Sequence, residues 1–268
     1  MRLKLLLKSR DYSPLSINYN YALSSAIYNL LRFGSPEFSQ FLHSKGYILN
    51  GKSFKLFSFA LKLHDFKVDD GKLSFISPLA DLFISSPLIE DFIKNIVIGS
   101  FKNQNLEIYA DYQKSVLNIE QVELIPNPIF SSEMYCEPYS PLVLSIKKEH
   151  NGSLKPYYLR YDDDMKTINN CFNNNLKNKY HLLNNKDYSG EGVSLTWDDS
   201  FIQQSIKKNK KLSKKITITK FEDSPIDIVG INIPFSLSGD PELIRVGYEC
   251  GFGEKNSMGF GMVTVRRL

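Results

Sequence analysis

Apolar and polar positions in the first part of the chain follow a strand period and then a helix period. Leucine mixes and alternates with basic residues over 2–8, which predicts a half-buried strand. Leucine, isoleucine and alanine then recur at helical spacing over 18–33, and Gly34 ends this predicted helix. Ser35-Pro36 is typical of the start of a second, shorter helix, which Gly46 ends.

Turn residues divide the next part of the chain into four strands and one helix. Asp69-Asp70-Gly71 is a hairpin signal between two apolar runs, and Ser86-Pro87 opens a helix that extends to about residue 99. The predicted strands are 53–64, 72–77, 105–112 and 115–125. The order over this half is therefore strand, helix, strand, strand, helix, strand. That is the ferredoxin-like βαββαβ plan, which RNA-recognition domains also use.

The second half of the chain has a weaker pattern, which begins after a linker marked by Pro126 and Pro128. Its predicted elements are strands near 141–148, 194–198, 214–222 and 226–236, helices at 165–184 and 241–250, and a last strand at 262–267. We interpret this half as a second, looser βαββαβ unit. The predicted fold class is thus α+β with two tandem ferredoxin-like (RRM-like) domains, residues 1–126 and 127–268.

The composition limits the class of protein but does not indicate which reaction or ligand it has. Of the 268 residues, 42% are hydrophobic and 23% charged, as in an ordinary globular protein, and the net charge of +4 neither requires nor excludes nucleic acid. The three cysteines lie far apart in sequence, which argues against a disulfide framework and fits a reducing compartment. Histidine and cysteine show no metal-ligand spacing, and no apolar run suits a signal peptide or a membrane span. We therefore expect a cytoplasmic protein with no metal, no cofactor and no membrane partner.

Basic charge is concentrated in one segment, KKNKKLSKK at 207–215. Beside a nucleic acid, each lysine that contacts a phosphate adds a salt-sensitive contribution to affinity. A solvated charged loop is the alternative interpretation. The candidate nucleic-acid contacts in this segment are Lys207, Lys208, Lys210 and Lys211.

Four of the 15 glycines fall within a segment of 11 residues near the C-terminus, at 251, 253, 259 and 261. Glycine permits positive φ and close approach of the backbone to a ligand. A dinucleotide fingerprint would need glycine where Asn256 stands, and a Walker A loop would need a Gly-Lys-Ser/Thr sequence that is absent. Two interpretations stay open on composition alone, namely an ordinary glycine-rich turn before an edge strand and a ligand-binding loop.

The segment RVGYECGFGEKNSMGFGMVTV resembles the C-terminal signature of the CRISPR-associated repeat-processing endoribonucleases, the Cas six family. Members share a GxGxxxxxGxG loop before a final strand, usually with a basic residue inside it. The resemblance covers both ends of the chain and matches residues 130–235 only in outline. It implies two ferredoxin-like domains, in agreement with the order of elements, and RNA contacts at Gly251, Gly253, Lys255, Asn256, Ser257, Gly259 and Gly261.

The resemblance also implies metal-independent cleavage, in which the 2′-hydroxyl of RNA attacks the adjacent phosphate. Such a site needs a base, an acid and a cation, and Tyr28, His43 and Lys55 supply these residue types in one short span. By likeness to the family, Tyr28 is expected to be the base, His43 the acid and Lys55 the phosphate-stabilising cation. Lys52 is the alternative to Lys55. Helical spacing turns Tyr28 and His43 away from the apolar stripes of their helices, and Arg32, close to Tyr28, is a further candidate RNA contact.

The expected function is cleavage of precursor CRISPR RNA within its repeats to generate guide RNAs. The expected partners are repeat RNA, as precursor and as mature guide, an interference complex that receives the product, and a second copy of the chain. Two alternatives stay open, a non-catalytic repeat-RNA-binding subunit of an effector complex and a generic single-strand-binding protein. Incubation with repeat RNA distinguishes the expected endoribonuclease from both alternatives, because only the endoribonuclease makes a single cut in the repeat.

Overall fold

The computed structural model describes residues 1–111, 113–150, 152–218 and 225–267. The chain forms two compact units. The first unit comprises Met1–Asn127, Ile216–Ile226 and Ser257–Gly259. The second unit comprises Pro128–Lys215, Asp227–Asn256 and Phe260–Leu268. Short segments from the second half of the chain therefore belong to the first unit.

The first half of the chain folds around a five-stranded antiparallel sheet. Its elements are β1 (Arg2–Ser9), β2 (Leu15–Ser16), α1 (Asn20–Gly34), α2 (Pro36–Ser44), β3 (Tyr47–Leu49), β4 (Lys52–Phe54), β5 (Ser58–Leu63), β6 (Phe66–Asp69), β7 (Lys72–Phe75), β8 (Leu79–Ser85), a π-helical turn (Ile89–Ile93), α3 (Lys94–Lys102), β9 (Asn105–Ala110) and β10 (Gln113–Ile125). The sheet order is β5-β8-β1-β10-β9. Its first four members have the ferredoxin-like arrangement, and β9 adds an edge strand.

The core of the first unit lies between this sheet and helix α1. Leu3, Leu5 and Leu7 alternate along β1 and are buried in one cluster with Leu23 and Ile27 of α1. Burying each such side chain contributes about 1.5–3 kcal/mol relative to leaving it in water. The apolar stripe of α1 is thereby fixed against the sheet, which orients the other faces of the helix.

The second half of the chain folds around a four-stranded antiparallel sheet of order β14-β17-β11-β18. Its elements are β11 (Glu133–Pro138), β12 (Ser145–His150), β13 (Ser153–Tyr158), α4 (Met165–Asn184), β14 (Val193–Trp197), α5 (Asp199–Lys207), β15 (Ser213–Ile218), β16 (Ile226–Ile231), β17 (Phe235–Gly239), α6 (Pro241–Cys250), a 3-10 turn (Asn256–Met258) and β18 (Val263–Arg267). The sheet repeats the strand order of the first half. The predicted fold class, α+β with tandem ferredoxin-like domains, is therefore confirmed.

Several predicted elements of the first half were placed wrongly. The predicted strand 53–64 is two strands, β4 and β5, because Leu56 between them has a φ of 53° that interrupts the extended backbone. The predicted hairpin forms at Asp70-Gly71, but it joins β6 to β7 in a small separate sheet with β2. The third strand of the main sheet is instead β8, which was not predicted. Every residue of β8 after the first is buried, so the strand lacks the alternation that marks half-buried strands.

The second half shows the same kinds of error. The predicted strand at 141–148 corresponds to β12 of a two-stranded hairpin, whereas the first strand of the main sheet is β11. Residues 226–236 divide into β16 and the start of β17, and helix α5 was not predicted. The helices predicted at 165–184 and 241–250 are present with those bounds. Of the predicted strand 214–222, residues 219–222 lie outside the described part of the chain, as does Tyr112 of the strand predicted at 105–112.

Candidate active site

The junction of α1 and α2 brings Tyr28 and His43 together. Ser35 is at once the residue that ends α1 and the N-cap of α2, so the chain turns between the helices within one residue. The Ser39 hydroxyl of α2 donates to the backbone carbonyl of Tyr28 at 3.0 Å, which ties the second helix to the first. The rings of Tyr28 and His43 meet edge to face, with centroids 5.2 Å apart and an interplanar angle of 88°.

Tyr28 is half-buried, which differs from the expectation that it turns away from the core. Its ring also meets Phe57 edge to face at 5.7 Å and packs against the core of the first unit. Burial raises the pKa of the Tyr28 phenol well above its ordinary value, and the Ser257 side chain has a smaller effect in the opposite direction. The phenol is therefore held in its neutral form.

Lys55 reaches the same end of α2. Its Nζ donates to the backbone carbonyl of His43 at 3.2 Å, where the last turn of a helix leaves carbonyls available to cations. Gly46, with a φ of 64°, makes room for this side chain, because a Cβ at Gly46 would lie 2.9 Å from the Lys55 Cδ. Lys55 is half-buried, and burial lowers its pKa, whereas the His43 side chain is exposed to solvent.

The other two candidate contacts near this junction are exposed. Arg32 lies on α1 one helical turn beyond Tyr28, and Lys52 is the first residue of β4. Lys55 is the candidate cation with a described hydrogen bond to His43. The structure thus brings Tyr28, His43 and Lys55 to one place, with Arg32 one turn away along α1.

The four glycines of the glycine-rich loop lie in close contact with other parts of the protein. All four have positive φ, 86° at Gly251, 66° at Gly253, 79° at Gly259 and 73° at Gly261, and all four are buried. A Cβ at Gly253 would collide with the carbonyl oxygen of Val143. The space that such glycines create is filled by neighbouring backbone and side chains. RNA contact by the glycines stays a prediction, and the exposed residue of the loop is Lys255.

A buried lysine forms hydrogen bonds to the glycine-rich loop. The sequence analysis did not identify this residue. Lys179 of α4 is 2% exposed, and its Nζ donates to the carbonyls of Gly251 at 2.6 Å and Gly253 at 2.8 Å and to Asn256 Oδ1 at 2.8 Å. Burial lowers the pKa of Lys179 to about 8, against the attraction of Cys250 and Glu254. The available signal was its position three residues after Leu176, on the apolar stripe of the helix.

The basic segment is a helix end and the turn that follows it. Lys207 is the last residue of α5, and the side chains of Lys207, Lys208, Lys210 and Lys211 are all exposed. Their contact with RNA stays a prediction. Within residues 1–111, 113–150, 152–218 and 225–267, histidine, cysteine and acidic side chains form no group of three or more that could hold a metal ion. No helix in the described part of the chain combines the length and the apolar character needed to span a membrane.

Comparisons with known proteins agree over both halves of the chain. The family model "CRISPR-associated protein Cas6, N-terminal" matches residues 14–117, and "CRISPR associated protein Cas6, C-terminal" matches residues 125–265. CRISPR-associated endoribonuclease Cas6 1 of Methanocaldococcus jannaschii is 31% identical over 98% of this chain and 92% of its own length. CRISPR-associated endoribonuclease Cas6 of Pyrococcus furiosus is 23% identical over 92% of this chain and 82% of its own. A solved structure of a CRISPR associated protein Cas6 matches with a TM-score of 0.72 and 27% identity, covering 100% of this chain and 99% of the other. The chain therefore belongs to the Cas6 family.

Proposed function

We propose that the protein is a metal-independent endoribonuclease that cuts precursor CRISPR RNA within its repeats to generate guide RNAs. The observation that carries the proposal is the convergence of Tyr28, His43 and Lys55 at the junction of α1 and α2. A phenol, an exposed imidazole and an ammonium can supply the base, the acid and the cation that cleavage through the 2′-hydroxyl uses. Relatives over most of the chain are named CRISPR-associated endoribonucleases, which supports the substrate class.

The proposed reaction forms one bond to phosphorus and breaks another. The 2′-oxygen bonds to the scissile phosphorus and passes its proton to water, directly or through the Tyr28 phenol, while the bond from phosphorus to the 5′-oxygen breaks. The products are a 2′,3′-cyclic phosphate and a 5′-hydroxyl. His43 gives its proton to the leaving 5′-oxygen, since its exposed ring can reach a bound substrate. Lys55 stabilises the extra negative charge on the phosphate oxygens.

Tyr28 is the proposed base, and its surroundings limit how it can act. Because burial raises its pKa, the phenolate is scarce near neutral pH. A neutral phenol can orient the 2′-hydroxyl by a hydrogen bond, and it accepts the 2′-proton only if its own proton leaves at the same time. The role of Tyr28 in this proposal is therefore mainly to position the attacking oxygen.

RNA affinity in this proposal comes from exposed cations. Arg32 and Lys52 lie near the active site, Lys255 is exposed on the glycine-rich loop, and the remaining lysines form the segment Lys207, Lys208, Lys210 and Lys211. Each phosphate contact makes affinity more sensitive to salt. Neutralising a true contact should thus weaken binding and flatten the dependence of affinity on salt.

Incubation with repeat RNA tests the proposed function. We expect one cut per repeat, no cut when the nucleotide before the scissile phosphate is 2′-deoxy, and an unchanged rate with a chelator such as EDTA. Cleavage of the deoxy substrate, or loss of cleavage with the chelator, would contradict the mechanism. Transfer of the product to an interference complex, pairing with a second copy of the chain and residence in the cytoplasm stay predictions.

A non-catalytic repeat-RNA-binding subunit is the second candidate function. Such a subunit would use the same exposed cations to bind RNA, and it needs no reaction at Tyr28, His43 or Lys55. The same assay decides between the two functions. Tight, repeat-specific binding without a cut would favour the binding subunit, whereas binding without preference for the repeat would favour a generic single-strand-binding protein.

A further inference from the structure

Strand β6, at the edge of the three-stranded sheet β2-β7-β6, leaves two apolar side chains in contact with water. Phe66 is 43% exposed and Val68 is 60% exposed. Their cross-strand partners on β7 are Phe75 and Leu73, which are each 8% exposed and belong to the core of the first unit. Cross-strand partners lie on the same face of a sheet. The face of the sheet that packs on the core therefore continues onto β6, where it is open to solvent.

The backbone of β6 also offers hydrogen-bonding groups at this edge. The two-residue turn 70–71 has positive φ at both positions, so Asp69 beside it exchanges hydrogen bonds with β7. Hydrogen-bonded positions alternate along an antiparallel pair, which leaves the N–H and C=O groups of Phe66 and Val68 pointing away from β7. In the described part of the chain no strand pairs with that edge. Such groups can pair with a strand of another chain.

The sequence of β6 is complementary to itself when two copies run antiparallel. With a two-fold axis at Val68, Lys67 of each copy lies opposite Asp69 of the other. The two Val68 residues then face each other and exchange hydrogen bonds through their outward N–H and C=O groups. Within its own hairpin Lys67 lies opposite Ser74, so the second copy supplies an opposite charge that β7 does not. Opposite charges at directly opposed positions stabilise strand pairing, and like charges weaken it.

We propose that two copies of this chain associate by antiparallel pairing of β6 with β6, centred on Val68. An axis at Lys67 or Asp69 would place like charges opposite each other and would use backbone groups that already bond to β7. An axis at Phe66 would leave half of the pairing outside β6. The pairing joins two three-stranded sheets into one of six strands and covers the exposed Phe66 and Val68 side chains of both copies.

Charge exchange tests this pairing in protein that is free of RNA. Sedimentation velocity over a range of protein concentrations measures the Kd of the dimer. We expect Lys67→Asp and Asp69→Lys each to raise this Kd about tenfold, because a symmetric pair contains each contact twice. Mixing the two variants should restore dimerisation, since every contact of the mixed pair again joins a lysine to an aspartate. Recovery of this kind cannot arise from variants that fail to fold.

Matched controls lie on another exposed hairpin, β12-β13. Lys155→Asp and Glu149→Lys change exposed charges there, and neither variant nor their mixture should alter the Kd. Val68→Asp places two carboxylates at the axis and should abolish the dimer. Leu154→Asp is its control, because Leu154 is 68% exposed and lies on β13.

Hydrogen exchange gives a second readout at the level of single amides. The Val68 N–H should exchange more slowly as protein concentration rises, because it bonds to the second copy. The Lys67 N–H, which already bonds to β7, should change much less. Neither this readout nor the dimer Kd involves cleavage, so both decide the inference whether or not the protein cuts RNA.

Three results would overturn the inference. Wild-type protein that stays monomeric up to millimolar concentration would exclude the dimer. A dimer that Val68→Asp and both charge changes on β6 leave intact would lie on another surface. A dimer lost in each single charge variant and not recovered in their mixture would exclude the contact between Lys67 and Asp69, and with it the register.

Discussion

Lys55 and Lys179 both donate hydrogen bonds to backbone carbonyls, but Lys55 is only half-buried, whereas Lys179 is fully buried. Lys55 is half-buried and makes one hydrogen bond among the described residues, to the carbonyl of His43. Lys179 is buried and makes three, all to the glycine-rich loop. An ammonium has three donors, so Lys55 keeps donors for a substrate phosphate, whereas Lys179 has committed its donors to the protein. The same residue type is suited to chemistry in one region and to architecture in the other.

The largest expected effect is in the region of Lys55, on His43. Changing His43→Ala should slow cleavage about 10²–10⁴-fold, the usual contribution of a general acid, with little change in stability because the side chain is exposed. Single-turnover cleavage and binding of 2′-deoxy repeat RNA measure the two effects separately. His181→Ala, which removes an imidazole paired with Asp187, is the control. Wild-type cleavage by His43→Ala would remove the imidazole from the mechanism.

Comparing Lys55→Ala with Lys52→Ala tests which lysine serves the phosphate. We expect Lys55→Ala to slow cleavage about 10²-fold, because it removes a cation beside His43 that stabilises transition-state charge. Lys52→Ala should cost less than about tenfold and act mainly on RNA affinity. Single-turnover rates over a range of enzyme concentrations separate rate from affinity. The reverse order of effects would assign the phosphate to Lys52.

Lys179→Met should affect the fold rather than the chemistry. The change leaves three buried acceptors without their donor, although it also removes a buried charge, so we expect the free energy of unfolding to fall by about 2 kcal/mol. Urea denaturation measures this difference. Lys166→Met is the matched control, since Lys166 lies exposed on the same helix, and it should change stability by less than about 0.5 kcal/mol. If Lys179→Met were as stable as the control, the loop would not depend on this lysine.

The contrast between the two regions also shows what the sequence could predict. Strong local signals gave the junction of α1 and α2, because Ser35-Pro36 caps a helix in almost any context and Gly46 supplies the left-handed φ after it. The residues at that junction were found because Tyr, His and Lys can supply a base, an acid and a cation, and because the sequence resembles the family. Lys179 was missed because its partners are carbonyls of a loop more than seventy residues away, which no local pattern records.

The asparagines of α4 show a second limit of the same kind. Asn169 uses both ends of its amide on the backbone of Leu195, with Oδ1 accepting at 2.7 Å and Nδ2 donating at 3.1 Å. Asn173 likewise accepts from the backbone N–H of Val193 at 2.8 Å and donates to its carbonyl. Both side chains therefore form hydrogen bonds to backbone N–H and C=O groups at the edge of β14, as a neighbouring strand would. The helix itself was predictable from its apolar stripe, but this use of its asparagines depends on tertiary structure.

The smallest expected effect concerns pH. The loss in free energy of unfolding caused by Lys179→Met should depend on pH. The pKa of Lys179 is lowered by burial to about 8, from an ordinary value of 10.5, so above pH 8 the unfolded chain binds more protons at this residue than the folded protein. The contribution of Lys179 to stability is therefore lost as pH falls through about 8 and grows as pH rises. Between about pH 7.5 and pH 9, the difference in free energy of unfolding between wild type and Lys179→Met should increase by about 1 kcal/mol.

Urea denaturation of both proteins at each pH measures this difference and cancels the titration of the other groups that the two chains share. The Lys166→Met control should show no such trend, because its lysine is exposed in the folded protein. A difference that stays constant with pH would mean that the Lys179 ammonium is as well stabilised inside the loop as in water. The three loop acceptors would then fully offset the loss of hydration at Lys179.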